Sequence, residues 1–328
     1  MSEEPQASLF DQDTEPEPIP QPWTDDRPLD GVGLDEYLSL IELLNTHAAV
    51  WTTKLGHADP PVGERGRPYW RTSMLGYCMR RQVLWRAGIP DTRVESAEDQ
   101  VSKERRFQWG NDLHSHVADR AELAGLLIAT EVPLYDEALK LNGNVDLLWG
   151  GRVRRDLPVR SAKWSPEYAD AVRELRRRLV LAVGDAAVPV TMSEIKTTSD
   201  YGLKYWFRDG PPLHARMQLA GYVTLARRHP EQLPIPEVPE RFTILALSRD
   251  AVQPAEFGLP PGDPDLVVER LDALNAAWAS GEWPNCTCGL TKTIEWEQRF
   301  CPYGSPTEAN TCCGQDLLAR LEASLEAR

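Results

Sequence analysis

Apolar side chains recur at helical spacing through residues 34–50 (LDEYLSLIELLNTHAAV), so the ordered part of the chain is expected to begin there. A Pro/Gly-containing loop follows from Gly56 to Tyr69, then a helix from Ser73 to Ala87 that Gly88 and Pro90 bring to an end. Another helix is expected from about Arg106 to Gly125, where glycine can supply the C-terminal cap. The period then changes. Leu126–Leu134 and Lys140–Trp149 read as two strands joined by the polar turn at Asp136–Ala138. Residues 151–185 form an Arg-rich insertion, helical in part, and Val188–Thr197 (VPVTMSEIKT) is a further strand. Leu213–Arg228 is an amphipathic helix, Phe242–Leu247 a strand, and Pro264–Ser280 a long final helix. This order predicts an α/β domain with helices packed on a central mixed sheet.

Composition adds few constraints. A 328-residue chain with 41% hydrophobic residues can build a real core. No apolar run approaches the length needed to span a bilayer, and the N-terminus does not read as a secretion signal, so a cytoplasmic location is expected. The net charge of −14 is unevenly spread. Residues 1–30 hold nine carboxylates and one arginine and include the stretch EPEPIPQP, so residues 1–32 are expected to form a disordered acidic tail ahead of one domain spanning 33–328. The body is still slightly acidic, so phosphate binding would fall to local patches. Two exist: Arg71, Arg80, Arg81, Arg86, Lys103, Arg105 and Arg106, and the run from Arg152 to Arg178. Any single member fits a solvated helix face as well.

One constellation carries chemistry. Asp146 sits at the centre of the apolar strand Asn144-Val-Asp-Leu-Leu148, where an unpaired carboxylate is costly to desolvate unless a cation neutralises it. In Ser193-Glu-Ile-Lys-Thr197, Glu194 and Lys196 stand two apart on a strand and share one face, with Ile195 turned to the other. Two carboxylates can hold one or two Mg²⁺ or Mn²⁺ ions that polarise a phosphodiester and acidify bound water. A nearby lysine can orient that water or stabilise the developing anion. The E-x-K spacing alone is weak evidence. Its value comes from the upstream aspartate.

The arrangement resembles the PD-(D/E)XK nuclease superfamily, and accessory residues are similar to its RecB-like branch. Gly110-Asn-Asp-Leu-His114 matches a G-x-x-x-H segment on a helix ahead of the core strands, which implies that His114 joins Asp146 and Glu194 at the metal. His116, two residues on, should face elsewhere. Gln218-Leu-Ala-Gly-Tyr222 matches a Q-x-x-x-Y element whose two side chains share a helix face. The resemblance implies a restriction-endonuclease-like core at about residues 106–250, with Asp146, Glu194, Lys196, Gln218 and Tyr222 serving catalysis.

Five of the six cysteines lie between positions 286 and 313, a clustering that points to metal ligation rather than disulfides in a reducing compartment. Cys78 stands alone before the core. One cysteine ahead of the core and several behind it resembles the iron–sulfur nucleases, including AddB nuclease domains and CRISPR-adaptation exonucleases of the Cas-four type. The resemblance implies a 4Fe–4S cluster tying the cysteine-rich segment, residues 282–316, to an N-terminal helix. The spacing departs from the C-x-x-C-P-Y form of that branch, since Gln298 occupies the place of one ligand. Cys78, Cys288, Cys301 and Cys312 are the expected ligands, with Cys286 and Cys313 as substitutes. A structural zinc site built from the C-terminal cysteines alone is the competing reading, and it would not need Cys78.

Together these features imply a Mg²⁺- or Mn²⁺-dependent exonuclease acting on DNA ends or single strands in recombination, replication or repair. Similar stand-alone proteins occur in phages. With no G-x-x-x-x-G-K-S/T loop, unwinding would fall to a partner helicase or recombinase. A non-catalytic nucleic-acid-binding subunit and a structure-specific endonuclease are the alternatives. Trp70, Trp85, Trp109, Tyr205, Trp206 and Phe207 are candidates for stacking on unpaired bases, chiefly the last three in the loop expected from Ser199 to Gly210.

Overall fold

The computed structural model describes residues 66–89, 97–154, 166–183, 187–249, 254–282, 284–285 and 301–303. All of them belong to one compact unit, Ala48–Arg328. The expected acidic tail, the helix at 34–50, and Cys286, Cys288, Cys312 and Cys313 lie outside the described residues.

A mixed six-stranded sheet forms the centre. Strands β2 (Leu127–Asp136) and β3 (Leu141–Gly151) make the expected antiparallel hairpin, with Asp136 opposite Leu141. On its other side β3 meets two partners in succession. The short β1 (Trp70–Arg71) runs parallel to the start of β3, and β4 (Val188–Thr198) runs antiparallel to its end. Strand β5 (Arg241–Ser248) pairs parallel with β4, and β6 (Pro254–Gly258) closes the edge antiparallel to β5.

The alternation of β4 sorts side chains between the two faces. Ile195 packs with Leu113 of helix α2 (Ala97–Leu123), and with Leu147 and Leu247. Met192, on the opposite face, joins the main core with helices α5 (Leu213–Arg228) and α6 (Asp263–Ser280). Helices therefore cover both faces. Leu219, Val223 and Leu225 of α5 are fully buried, each worth roughly 1.5–3 kcal/mol of transfer free energy.

Local chemistry explains the helix ends. Helix α5 follows Pro212, carries Arg227 and Arg228 against its C-terminal dipole, and stops before Pro230. Helix α6 opens with Asp263, Pro264 and Asp265 and closes on Gly281 at φ 72°. Asp263 also receives both arms of the Arg216 guanidinium, at 2.8 and 2.5 Å, which fastens α6 to α5. Gly125, at φ 71°, ends α2 in a Schellman arrangement, with Leu126 N bonded to the Ala121 carbonyl and Gly125 N to that of Glu122.

Several expectations need correction. The helix expected over Ser73–Ala87 is a 3-10 turn (Thr72–Met74) followed by α1 (Met79–Arg86). Gly76 interrupts it: a Cβ there would stand 2.1 Å from His214 Cα, so the chain turns against the start of α5. Helix α2 starts nine residues earlier than expected, at Ala97. The Arg-rich insertion is helical in part, as expected, through α3 (Pro166–Val183), whereas the loop expected from Ser199 to Gly210 is helix α4 (Asp200–Asp209).

Two members of the basic patches are core residues. Arg86 lies between the rings of Trp70 and Trp278, at 4.3 and 4.4 Å, and donates to the Arg67 and Pro68 carbonyls. Arg176 is buried and donates to the Leu123 and Glu122 carbonyls at the end of α2. Neither is free for phosphate. No helix among the described residues is long and apolar enough to cross a membrane.

Candidate active site

Strands β3 and β4 separate at the carboxylates. Their ladder runs to Leu147 opposite Ser193, and one further step would oppose Asp146 and Glu194. There the Asp146 side chain turns between the strands instead, and its Oδ2 accepts a hydrogen bond from Ile195 N at 2.7 Å. Trp149 Nε1 donates to Ser193 Oγ at 2.9 Å just before the split, and this pins the last regular pair.

Glu194 is fully buried, and neither of its oxygens receives a well-aligned hydrogen bond. Its nearest cation is Lys196, whose Nζ lies 2.5 Å from Oε1. Burial, and then the Asp146 carboxylate, push the Glu194 carboxyl up to about 8 despite that lysine. Burial likewise raises Asp146 to about 6, against the pull of Lys196 and the Ile195 amide. Two carboxylates share one lysine, so the cluster is short of positive charge.

A relay holds Lys196. Its Nζ donates to Gln218 Oε1 at 2.8 Å, and Gln218 Nε2 donates to the Tyr222 hydroxyl at 2.7 Å. Both partners come from successive turns of α5, and Tyr222 is 2% exposed. Tyr222 therefore acts through Gln218 and is a positioning residue. Its ring fits because position 143 is glycine: a Cβ there would stand 2.7 Å from Tyr222 Cε1 and closer still to Thr72.

His114 projects from α2 toward the same cluster, with Nδ1 3.8 Å from Asp146 Oδ2. Burial lowers its pKa, so the ring stays neutral and able to coordinate. His116 is exposed beside Arg120 and belongs to no site. The sequence reading missed Glu131. It lies on β2 between Thr130 and Val132, which pair with Leu147 and Val145, and so stands across the hairpin from Asp146. Its backbone has φ 50°, in the left-handed region that costs a non-glycine residue. One ligand atom from each of His114, Glu131 and Asp146 lies within 4.8 Å of the others. The donor set of one imidazole nitrogen and carboxylate oxygens fits a divalent cation such as Mn²⁺ or Mg²⁺; Glu194, expected as a ligand, falls outside this group, with Oε1 turned to Lys196.

The cysteine expectations are only partly within view. Cys78, at the start of α1, and Cys301 are both buried. Near them, Tyr303 OH donates to the Ile89 carbonyl at 3.2 Å and Arg80 Nε to the Pro284 carbonyl at 2.8 Å. Two short stretches of the C-terminal segment thus rest on α1 and the residues just after it.

No family model matches the chain, and no curated protein matches it. A solved structure titled "Crystal structure of SSO0001" is similar over 81% of this chain and 94% of that one, at 18% identity and a TM-score of 0.41.

Proposed function

We propose that the chain is a metal-dependent nuclease with a restriction-endonuclease-like core, hydrolysing DNA phosphodiester bonds at ends or in single strands. The carrying observation is the meeting of Asp146, Glu194 and Lys196 where β3 and β4 part, with Glu194 fully buried and Lys196 against its Oε1. Two buried carboxylates that share a single lysine are a setting that a second cation would complete. The order of an antiparallel hairpin, a third antiparallel strand, and a parallel strand reached through α5 supports the core assignment.

His114, Glu131 and Asp146 would hold the ion, joined by Glu194 if its side chain turns from Lys196; when bound, the ion supplies Lewis acidity and a more acidic water. Lys196, kept charged by the two carboxylates and aimed by Gln218, places a positive charge where the phosphoryl group accumulates negative charge.

For the cysteines we propose a 4Fe–4S cluster with Cys78, Cys301 and two further cysteines from the C-terminal segment. Support comes from the burial of Cys78 and Cys301 and from the two contacts onto the α1 region. Anaerobically purified protein should be brown, and Cys78→Ala should bleach it. Colourless protein holding one zinc per chain would replace the cluster with a zinc site.

Digestion of end-labelled single-stranded, duplex and covalently closed circular DNA, with Mg²⁺ or Mn²⁺, tests the activity. Loss of the labelled strands with the circle intact is expected. Cleavage of the circle would indicate an endonuclease, and no cleavage of any substrate would favour a binding subunit.

A further inference from the structure

We propose that the outer face of α4 is a stacking platform for single-stranded DNA leading into the active site. This rests on the nuclease reading for its location and on separate observations for its chemistry.

Position comes first. Lys196 on β4 is in register with Ala246 on the parallel strand β5, so the two side chains leave the same face of the sheet. Helix α4 buries Leu203 against Ala246 and Ala255. It therefore lies on the face that carries Lys196, one strand away, roughly 4.8 Å in the sheet direction. Ser199 starts α4 three residues after Lys196, its side chain accepting from Gly202 N. Gly202 permits this tight entry, because a Cβ there would stand 2.2 Å from Thr198 Oγ1.

The outer face has the composition that unpaired nucleotides require. Tyr201, Lys204, Tyr205 and Arg208 recur at i, i+3, i+4 and i+7 and so form one stripe. Tyr201 is 69% exposed and Tyr205 39%, a large aromatic area to leave in water. Their rings meet edge to face at 4.8 Å, with the hydroxyls hydrogen-bonded to each other. Each thereby holds the other upright. The Arg208 guanidinium lies 4.7 Å over the Tyr205 ring and is steadied by Asp209. Lys204 forms no ion pair among the described residues. Trp206, on the flank of the helix, packs against Phe257 of β6 and anchors it, while Phe207 meets the same ring but stays 66% exposed. Aromatic faces interleaved with cations bind single strands by stacking bases and attracting phosphates. A paired duplex has no free base faces to offer, so the platform selects unpaired strands.

The test is fluorescence anisotropy of an end-labelled oligo-dT strand and of a duplex of equal length, in EDTA, so that binding is read without cleavage. The full-length wild type should bind the single strand more tightly than the duplex. Tyr201→Ala with Tyr205→Ala should weaken single-strand binding at least about tenfold. The pair Tyr201→Phe with Tyr205→Phe should hold within about threefold, since phenylalanine keeps the stacking face. Equal binding by wild type and the alanine pair would overturn the platform, even if both cleave DNA. Tyrosine-dependent binding without cleavage in Mn²⁺ would leave the platform standing and remove the nuclease reading.

Discussion

Replacing Glu194 with glutamine should make the metal-free protein more stable while abolishing its response to metal. The carboxyl is fully buried, and despite the Lys196 ammonium beside it its pKa stands at about 8 instead of 4.5. A raised folded-state value means that ionisation opposes folding, with a cost that grows as pH climbs from about 4.5 to about 8. At about 1.4 kcal/mol per pH unit, the penalty at pH 7 is about 3 kcal/mol. Glutamine carries no charge and has nearly the same volume, but its amide is a poorer neighbour for Lys196. A net gain of about 1–2 kcal/mol follows, or roughly 2–5 °C in melting temperature. The assay is thermal unfolding followed by circular dichroism, in EDTA and in MnCl₂, from pH 5 to pH 9. Wild type should melt lower than Glu194→Gln in EDTA, with the gap widening toward pH 8. Manganese should raise wild type alone. If Glu194→Gln melts several degrees below wild type in EDTA, the Lys196 ion pair outweighs the desolvation of Glu194, and the argument that the cluster lacks positive charge fails.

Other consequences follow from named contacts. Asp136 is buried where Arg228, the Leu139 amide and His229 meet; burial opposes its charge, but these donors prevail and hold its pKa at about 2. Because that value lies below the usual 3.8, the stabilisation is present above about pH 4 and is lost as pH falls toward 2. Urea unfolding should show about 2 kcal/mol more loss across that window in wild type than in Asp136→Asn. Gly76→Ala sets a methyl against the backbone of His214 and should cost at least about 2 kcal/mol, seen as a lower urea midpoint. Gln218→Leu removes the acceptor that aims Lys196; kcat on single-stranded DNA should fall about 10- to 100-fold with little change in KM or melting temperature.

Most of the sheet and the helix α5 were legible in the sequence because their patterns are long and regular. Strands β2, β3, β4 and β5 and helices α5 and α6 lie within two residues of their expected limits. Asp146, Glu194, Lys196, His114 and Gln218 do converge, since strand and helix periods fix which side chains share a face. Glu131 escaped because an acidic residue near a strand bulge has no local signature. Only the hairpin register, counted back from Asp136 opposite Leu141, sets it across from Asp146. Helix α4 left a signal that the loop reading passed over: Leu203, Trp206 and Phe207 stand at i, i+3 and i+4 between a Ser199 cap and Gly210, but the segment is short and Gly202 weakens it. The break at Gly76 depends on how closely α5 approaches, which a single segment cannot reveal. The buried roles of Arg86 and Arg176 arise from tryptophans and helix-end carbonyls brought together from distant parts of the chain.

The most direct test of the central claim is the Mn²⁺-dependent degradation rate of one end-labelled single strand, measured side by side for wild type and Glu194→Ala. Wild type should release product, stop on addition of EDTA, and exceed the variant by at least about a thousandfold. Equal rates for the two proteins would contradict the assignment of the site where β3 and β4 part.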